Sequence, residues 1–212
     1  MTFNADFLKL YFIGGSQDFK HPEDLLTQLE KLLDAGITAF QFRDKGPGSL
    51  TKDPTAQREL AEACQRLTRQ YQVPFFVDDD VNLAIALHAE GIHVGQDDEA
   101  VTSLLQRIPD EMFVGLSCKT KEQVEIANQT PGIDYLGVGP IFPTSSKPDA
   151  GLILGLGTLT KLVQLSTRPV VAIGGITLDA LPDILKTGAK GSAAIRLFAD
   201  KADPATMLAP FA

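Results

Sequence analysis

The sequence predicts an α/β fold, a single-domain (β/α)8 barrel of the TIM type over residues 1–212. Three observations carry that expectation. Short apolar segments of strand length alternate with segments of helical periodicity along the whole chain. The alternation occurs eight times, and 212 residues shared among eight units leave about 26 per unit, compact but feasible in a closed barrel. No linker, low-complexity stretch or shift of composition divides the chain. An open doubly wound sheet is the competing architecture for such an alternation. The count of eight and the lack of a Gly-x-Gly-x-x-Gly run after the first strand favour the barrel.

The elements follow in order. Residues 7–14, with Leu8, Leu10, Phe12 and Ile13, read as the first strand. Residues 21–35 carry Leu25, Leu26, Leu29, Leu32 and Leu33 at helical spacing, and Gly36 closes that helix. Strand 2 is expected at 37–42, then a helix at 55–71 with Leu60, Ala63, Cys64 and Leu67 on one face. Strand 3 at 73–77 precedes a short helix at 81–88, and strand 4 at 91–94 precedes a helix at 99–107. Strand 5 at 112–116 is followed by a helix at 121–129, and strand 6 at 133–138 by a long Gly- and Pro-rich loop, 139–155. A helix at 159–165, strand 7 at 169–173, a helix at 178–187, strand 8 at 191–195 and a terminal helix at 203–211 complete the series. Most of these strands are short and apolar throughout, as expected when both faces are buried.

Composition excludes several partners. The chain is 44% hydrophobic and 22% charged, with 19 basic against 27 acidic residues and a net charge of −8. A pI near 4.8 repels nucleic acid and anionic membrane at long range. An anionic small molecule remains compatible, because a site can be locally basic or bridged by a metal. Two cysteines, Cys64 and Cys118, form no Cys-x-x-Cys pair and no disulfide framework. The first residues, with Asp6 among them, lack a signal peptide's basic and apolar regions. No apolar stretch reaches about 18 residues, so no transmembrane helix is expected. These features lead to the expectation of a cytoplasmic protein; a homo-oligomer is compatible with them.

In such a barrel the chemistry lies at the C-terminal ends of the strands. Gln41, Arg43 and Lys45 follow strand 2, Asp78 to Asp80 follow strand 3, and Gln96, Asp97 and Asp98 follow strand 4. Ser117 follows strand 5, Thr144 to Lys147 follow strand 6, Gly174 and Gly175 follow strand 7, and Arg196 follows strand 8. Carboxylates on adjacent strands, paired with substrate phosphates, are a common way to hold Mg²⁺. Arg and Lys complement the same phosphate charge. The pattern points to a metal-bridged diphosphate. Ala172-Ile173-Gly174-Gly175-Ile176-Thr177 runs from a strand through glycines toward a helix, a form that suits a second phosphate. His93 within strand 4 reads as a core or supporting histidine, and Cys118 as a small filler with no His partner.

These motifs resemble those of the thiamine-phosphate synthase family, in order, over residues 8–198. Gln41-x-Arg43-x-Lys45 resembles the family's strand-2 motif, and Asp79 with Val81 and Leu83-Ala84 its third-strand metal motif. Gly91 to Asp98 is similar to the fourth-strand motif, and Gly115-Leu116-Ser117 to the fifth. The run from Asp134 to Thr144, followed by Ser145-Ser146-Lys147, is the most distinctive match. The resemblance implies a Mg²⁺-dependent transferase that joins a hydroxymethylpyrimidine diphosphate to a thiazole phosphate. It implies that Gln41, Arg43, Lys45 and Lys147 hold the diphosphate substrate, that Asp79 and Asp98 hold Mg²⁺, and that Ser117 meets the reacting pyrimidine. It assigns Thr144, Ser146, Gly175, Ile195 and Arg196 to the thiazole phosphate. Catalysis is thereby expected of Arg43, Lys45, Ser117 and Lys147.

Three positions depart from the family pattern. Asp78 stands where Asn is usual at the diphosphate position, Arg196 where Ser is usual, and Ser146 where Thr is common. Two other readings share the fold. A thiazole tautomerase relies on a His soon after the strand-5 Ser, where this chain has Cys118, Lys119 and Thr120. A regulatory paralogue that binds ligands without turnover draws its support from Asp78 and Arg196.

Overall fold

The structure, a computed structural model, describes residues 1–96, 101–144, 146, 151–199 and 203–208. Eight parallel strands form a closed barrel in sequence order: β1 (Leu10–Gly14), β2 (Ala39–Phe42), β3 (Phe75–Asp78), β4 (Gly91–Val94), β5 (Phe113–Cys118), β6 (Tyr135–Val138), β7 (Val170–Ile173) and β8 (Gly191–Ala194). The seam is closed by β1 against β8, with Tyr11 opposite Ala193. The helices are α1 (Asp24–Asp34), α2 (Pro54–Gln70), α3 (Val81–Leu87), α4 (Val101–Leu104), α5 (Lys121–Gln129), α6 (Gly155–Leu165), α7 (Leu181–Lys186), α8 (Arg196–Ala199) and α9 (Pro204–Leu208).

Strand pleating splits the core in two. Outward-facing Phe12, Phe40 and Phe75 pack beneath the helices with Leu25, Leu29 and Leu32 of α1. Inward-facing Tyr11, Ile13, Phe76, Phe113, Tyr135 and Val171 fill the barrel itself. The helix starts are fixed by local caps. Asp53 caps α2 through the Ala56 N–H, with Pro54 in the first turn. Thr120 and Gln123 form a capping box on α5.

Several expected boundaries are corrected. The first strand does not start at Phe7: Ala5–Leu8 is a 3₁₀ turn whose Asn4 side chain accepts from the Asp6 N–H. This turn carries Phe3 and Phe7 under the barrel, where the Phe3 ring stacks on Tyr135 at 5.9 Å and meets Phe113 edge-on at 5.4 Å. Those rings close the floor. The helix expected at 178–187 divides into a 3₁₀ turn, Leu178–Ala180, and α7, because Pro182 has no N–H and fits only the first helical turn. α6 begins at Gly155 rather than at Leu159, and α8 had no counterpart among the expected elements. The expected helix ends at 99–100 and 209–211 lie outside the described residues.

Candidate active site

A cavity of about 570 Å³ opens at the C-terminal mouth of the barrel. Gln41, Arg43, Lys45, Asp78, Asp79, Ser117, Thr144, Ser146, Gly175, Ile195 and Arg196 all line it. Asp98 and Lys147, the second expected metal ligand and one expected diphosphate cation, lie outside the described residues.

The wall after β2 and β3 is a charge cluster. Arg43 Nε lies 3.3 Å and Lys45 Nζ 2.9 Å from Asp78 Oδ2, and Lys45 also contacts Asp79. Burial alone would push the Lys45 ammonium down, but Asp78 and Asp79 outweigh that and hold it above its ordinary value. The cluster rests on a clamped turn. The buried carboxylate of Asp44 accepts from the Ser16 backbone N–H at 2.8 Å, the Leu50 N–H at 3.0 Å and Gln57 Nε2 at 3.1 Å. Gln17 Nε2 donates to the Arg43 carbonyl at 2.8 Å. Asp44 thus sits between the two cations and points the other way, holding their backbone. Of the three successive aspartates, only Asp80 turns outward, to cap α3 through the Leu83 N–H.

Asp79 adopts a left-handed conformation, φ 60°, unusual outside glycine and costly enough to mark a constrained site. Its N–H donates to the His93 carbonyl at 2.9 Å, which ties the end of β3 to β4. Asp79 is a hard oxygen donor of the type that suits Mg²⁺, while Asp78 is engaged by Arg43 and Lys45. Among the described residues no group of three or more His, Cys, Asp or Glu gathers to hold a metal.

The wall after β6 to β8 is made chiefly of backbone. The loop after β6 pairs with the extension of β7: the Ile141 N–H donates to the Ile173 carbonyl at 2.9 Å and the Phe142 N–H to the Gly174 carbonyl at 3.0 Å. Gly174 and Gly175 have φ of 94° and 66°. A Cβ on Gly175 would stand 2.4 Å from the Pro143 carbonyl oxygen, so glycine is required there by both conformation and space. Thr144 Oγ1 accepts from the Ser146 N–H at 3.3 Å. Arg196 opens α8 and is exposed on the rim.

The floor of the cavity holds a chain of polar side chains. Gln41 Nε2 donates to Tyr11 Oη, Tyr11 Oη meets Tyr135 Oη, Tyr135 Oη meets His93 Nδ1, and His93 Nε2 meets Ser117 Oγ, each at 3.0 Å. Burial raises the titration of both tyrosines well above the ordinary range, so both keep their protons. Cys118 is buried, and burial pushes its thiol up to about 12. His93 bridges Tyr135 and Ser117. Tyr11 was missed and Tyr135 went unweighted. Their signal was present: in a barrel every second strand residue faces inward, and polar-tipped side chains at those positions need buried partners.

A family model described as thiamine monophosphate synthase matches residues 10–198. A thiamine-phosphate synthase from Pediococcus pentosaceus is 56% identical over 198 residues, covering 93% of this chain and 91% of that protein. One from Lactiplantibacillus plantarum is 50% identical, over 97% of this chain and 93% of its own. Among solved structures, a thiamine phosphate pyrophosphorylase from Pyrococcus furiosus is similar with a TM-score of 0.82 at 34% identity, covering 96% of this chain and 93% of that one.

Proposed function

The chain belongs to the thiamine monophosphate synthase family, and from that premise we infer how its cavity makes thiamine phosphate. The protein is a transferase of thiamine biosynthesis. It condenses 4-amino-2-methyl-5-hydroxymethylpyrimidine diphosphate with thiazole phosphate, releasing diphosphate. The C–O bond to diphosphate breaks with its electron pair leaving on oxygen. The thiazole nitrogen then supplies the pair for the new C–N bond.

One observation carries the residue assignment: two anion-suited walls face one another across a single cavity. The charged wall takes the pyrimidine diphosphate. Arg43 and Lys45 meet charge growing on the leaving group, which is worth most in a site shielded from water, and Lys147 joins them. Asp79 and Asp98 would hold Mg²⁺, which would neutralise diphosphate charge. Asp78 keeps the two cations gathered before substrate arrives. Gln41 and Ser117 face the pyrimidine. The glycine wall, with Thr144, Ser146, Ile195 and Arg196, takes the thiazole phosphate and holds its ring nitrogen in line. No activated protein nucleophile is needed. A biosynthetic enzyme of this kind fits the cytoplasmic location expected from composition.

The test is turnover with both substrates and Mg²⁺, following thiamine phosphate and diphosphate by chromatography. Equal amounts of the two products are expected. Binding of both substrates without product would support the regulatory reading instead.

A further inference from the structure

The polar chain across the floor has two ends of different chemistry, and its direction decides what Ser117 can do. The Gln41 amide nitrogen can only donate, and it is the atom 3.0 Å from Tyr11 Oη. Tyr11 accepts there, so its own proton goes to Tyr135, its other hydroxyl partner at 3.0 Å. Tyr135, having accepted, donates to His93 Nδ1. With His93 taken as neutral, an imidazole that accepts at Nδ1 carries its proton on Nε2, 3.0 Å from Ser117 Oγ. The hydroxyl proton of Ser117 is then left to point into the cavity.

We propose that Tyr11, Tyr135 and His93 are positioning residues, a one-way hydrogen-bond chain that presents Ser117 to the substrate as a donor. The opposite direction would make Ser117 donate to His93, as a base-activated nucleophile does. This reaction has no step for such a group, whereas departing diphosphate or a pyrimidine nitrogen each accepts a proton. Bonds aligned in one direction also polarise one another. Packing fixes the chain in place. A Cβ on Gly115 would stand 2.2 Å from Tyr135 Cζ and 2.4 Å from His93 Nδ1, so both rings occupy space that only glycine leaves.

The proposal rests on the pyrimidine reading of this cavity, and its test has one arm that does not. Nitrogen NMR of the substrate-free protein with labelled imidazoles reads the tautomers of the three histidines, His93 being identified by its loss in His93→Asn. The expected result is His93 protonated at Nε2 and acceptor at Nδ1, with Tyr135→Phe converting it to a mixture and leaving the other two unchanged. A His93 carrying its proton on Nδ1 would overturn the chain. In the kinetic arm, Tyr11→Phe removes a link that touches neither His93 nor Ser117. It should lower kcat about threefold to tenfold, the worth of one hydrogen bond, with the thiazole phosphate KM unchanged. An unchanged kcat would remove the positioning role. Absence of wild-type turnover would defeat the reading of the site, while the NMR arm still decides the chain.

Discussion

The two walls of the cavity are made of different materials. After β2 and β3 the wall is side chain: Arg43 and Lys45 lie against Asp78 and Asp79. After β7 it is backbone, with Gly174 and Gly175 held in left-handed conformations. On the assignment proposed above, the difference matches what each ligand would do. A diphosphate that leaves must be gripped more tightly as its charge grows, and cations that exchange one set of oxygens for another can do that. A phosphate that only anchors its substrate meets no change of charge, and a rigid cradle suffices.

Removing charge from the first wall should give the largest effect. Asp79→Ala and Asp98→Ala should each lower turnover about 10²- to 10³-fold at ordinary Mg²⁺, the scale of losing one main electrostatic contact. Lys45→Ala should fall in the same range. The thiazole phosphate KM should hardly move in any of them. Wild-type rates for both aspartate variants would reduce these carboxylates to loop solubilisers.

The second wall should respond to bulk rather than charge. Gly175→Ala must displace the Pro143 carbonyl, 2.4 Å from the added Cβ, and hold alanine at positive φ, which alone costs about 1–2 kcal/mol. The thiazole phosphate KM should rise about tenfold, in line with that energy, while the KM for the pyrimidine diphosphate stays put. Gly157→Ala is the control. It lies inside α6 with nothing near its Cβ position and should stabilise the protein by about 0.5–1 kcal/mol. A KM unchanged in Gly175→Ala would show that the cradle holds no phosphate.

The same contrast explains what was legible in the sequence. Strands flanked by charged turns, such as Gln41 to Lys45 and Asp78 to Asp80, announce their chemistry, because charge at a strand end is rare in a core and cheap to recognise. The barrel was legible for a related reason: apolar runs of strand length and leucines at helical spacing repeat with little interruption. The N-terminal turn was not, because Phe3 and Phe7 have the same apolarity whether they continue a strand or fold beneath it. Only the Asn4 cap distinguishes the two. The floor was hidden for a deeper reason. Tyr11 sits in the apolar run Leu10 to Ile13, and its partners Tyr135 and His93 come from β6 and β4. Closure of the barrel alone brings them within 3.0 Å of one another.

Arg196 tests whether the second wall is backbone alone. Its side chain is exposed on the rim, where a guanidinium contact is screened by water and worth little. Arg196→Ala should raise the thiazole phosphate KM only a fewfold, and Arg196→Ser, which restores the family's hydroxyl, should recover part of it. The KM for the pyrimidine diphosphate serves as the internal reference. No change in Arg196→Ala would leave the anchoring to backbone N–H groups and Thr144.

The floor adds a third material, neutral and buried, and it should reveal itself in stability as well as in turnover. Tyr11 and Tyr135 are raised by burial, because the phenolate cannot be solvated inside the barrel. In the unfolded chain a tyrosine loses its proton near pH 10. Above that pH the unfolded state binds fewer protons than the native state, so stability falls as pH rises. The contribution of these groups is therefore complete below about pH 10 and is lost progressively above it. Lys45, also raised, acts in the same direction in the alkaline range, so the informative comparison keeps Lys45 and changes one tyrosine. Tyr11→Phe should cost about 0.5–1.5 kcal/mol at neutral pH for its hydrogen bonds, measured by urea unfolding. Between pH 9 and 11 its stability should decline less steeply than that of the wild type, so the two curves converge. Parallel curves would mean that the Tyr11 phenol ionises as readily in the folded barrel as in the open chain, and the floor would then be wet like the walls.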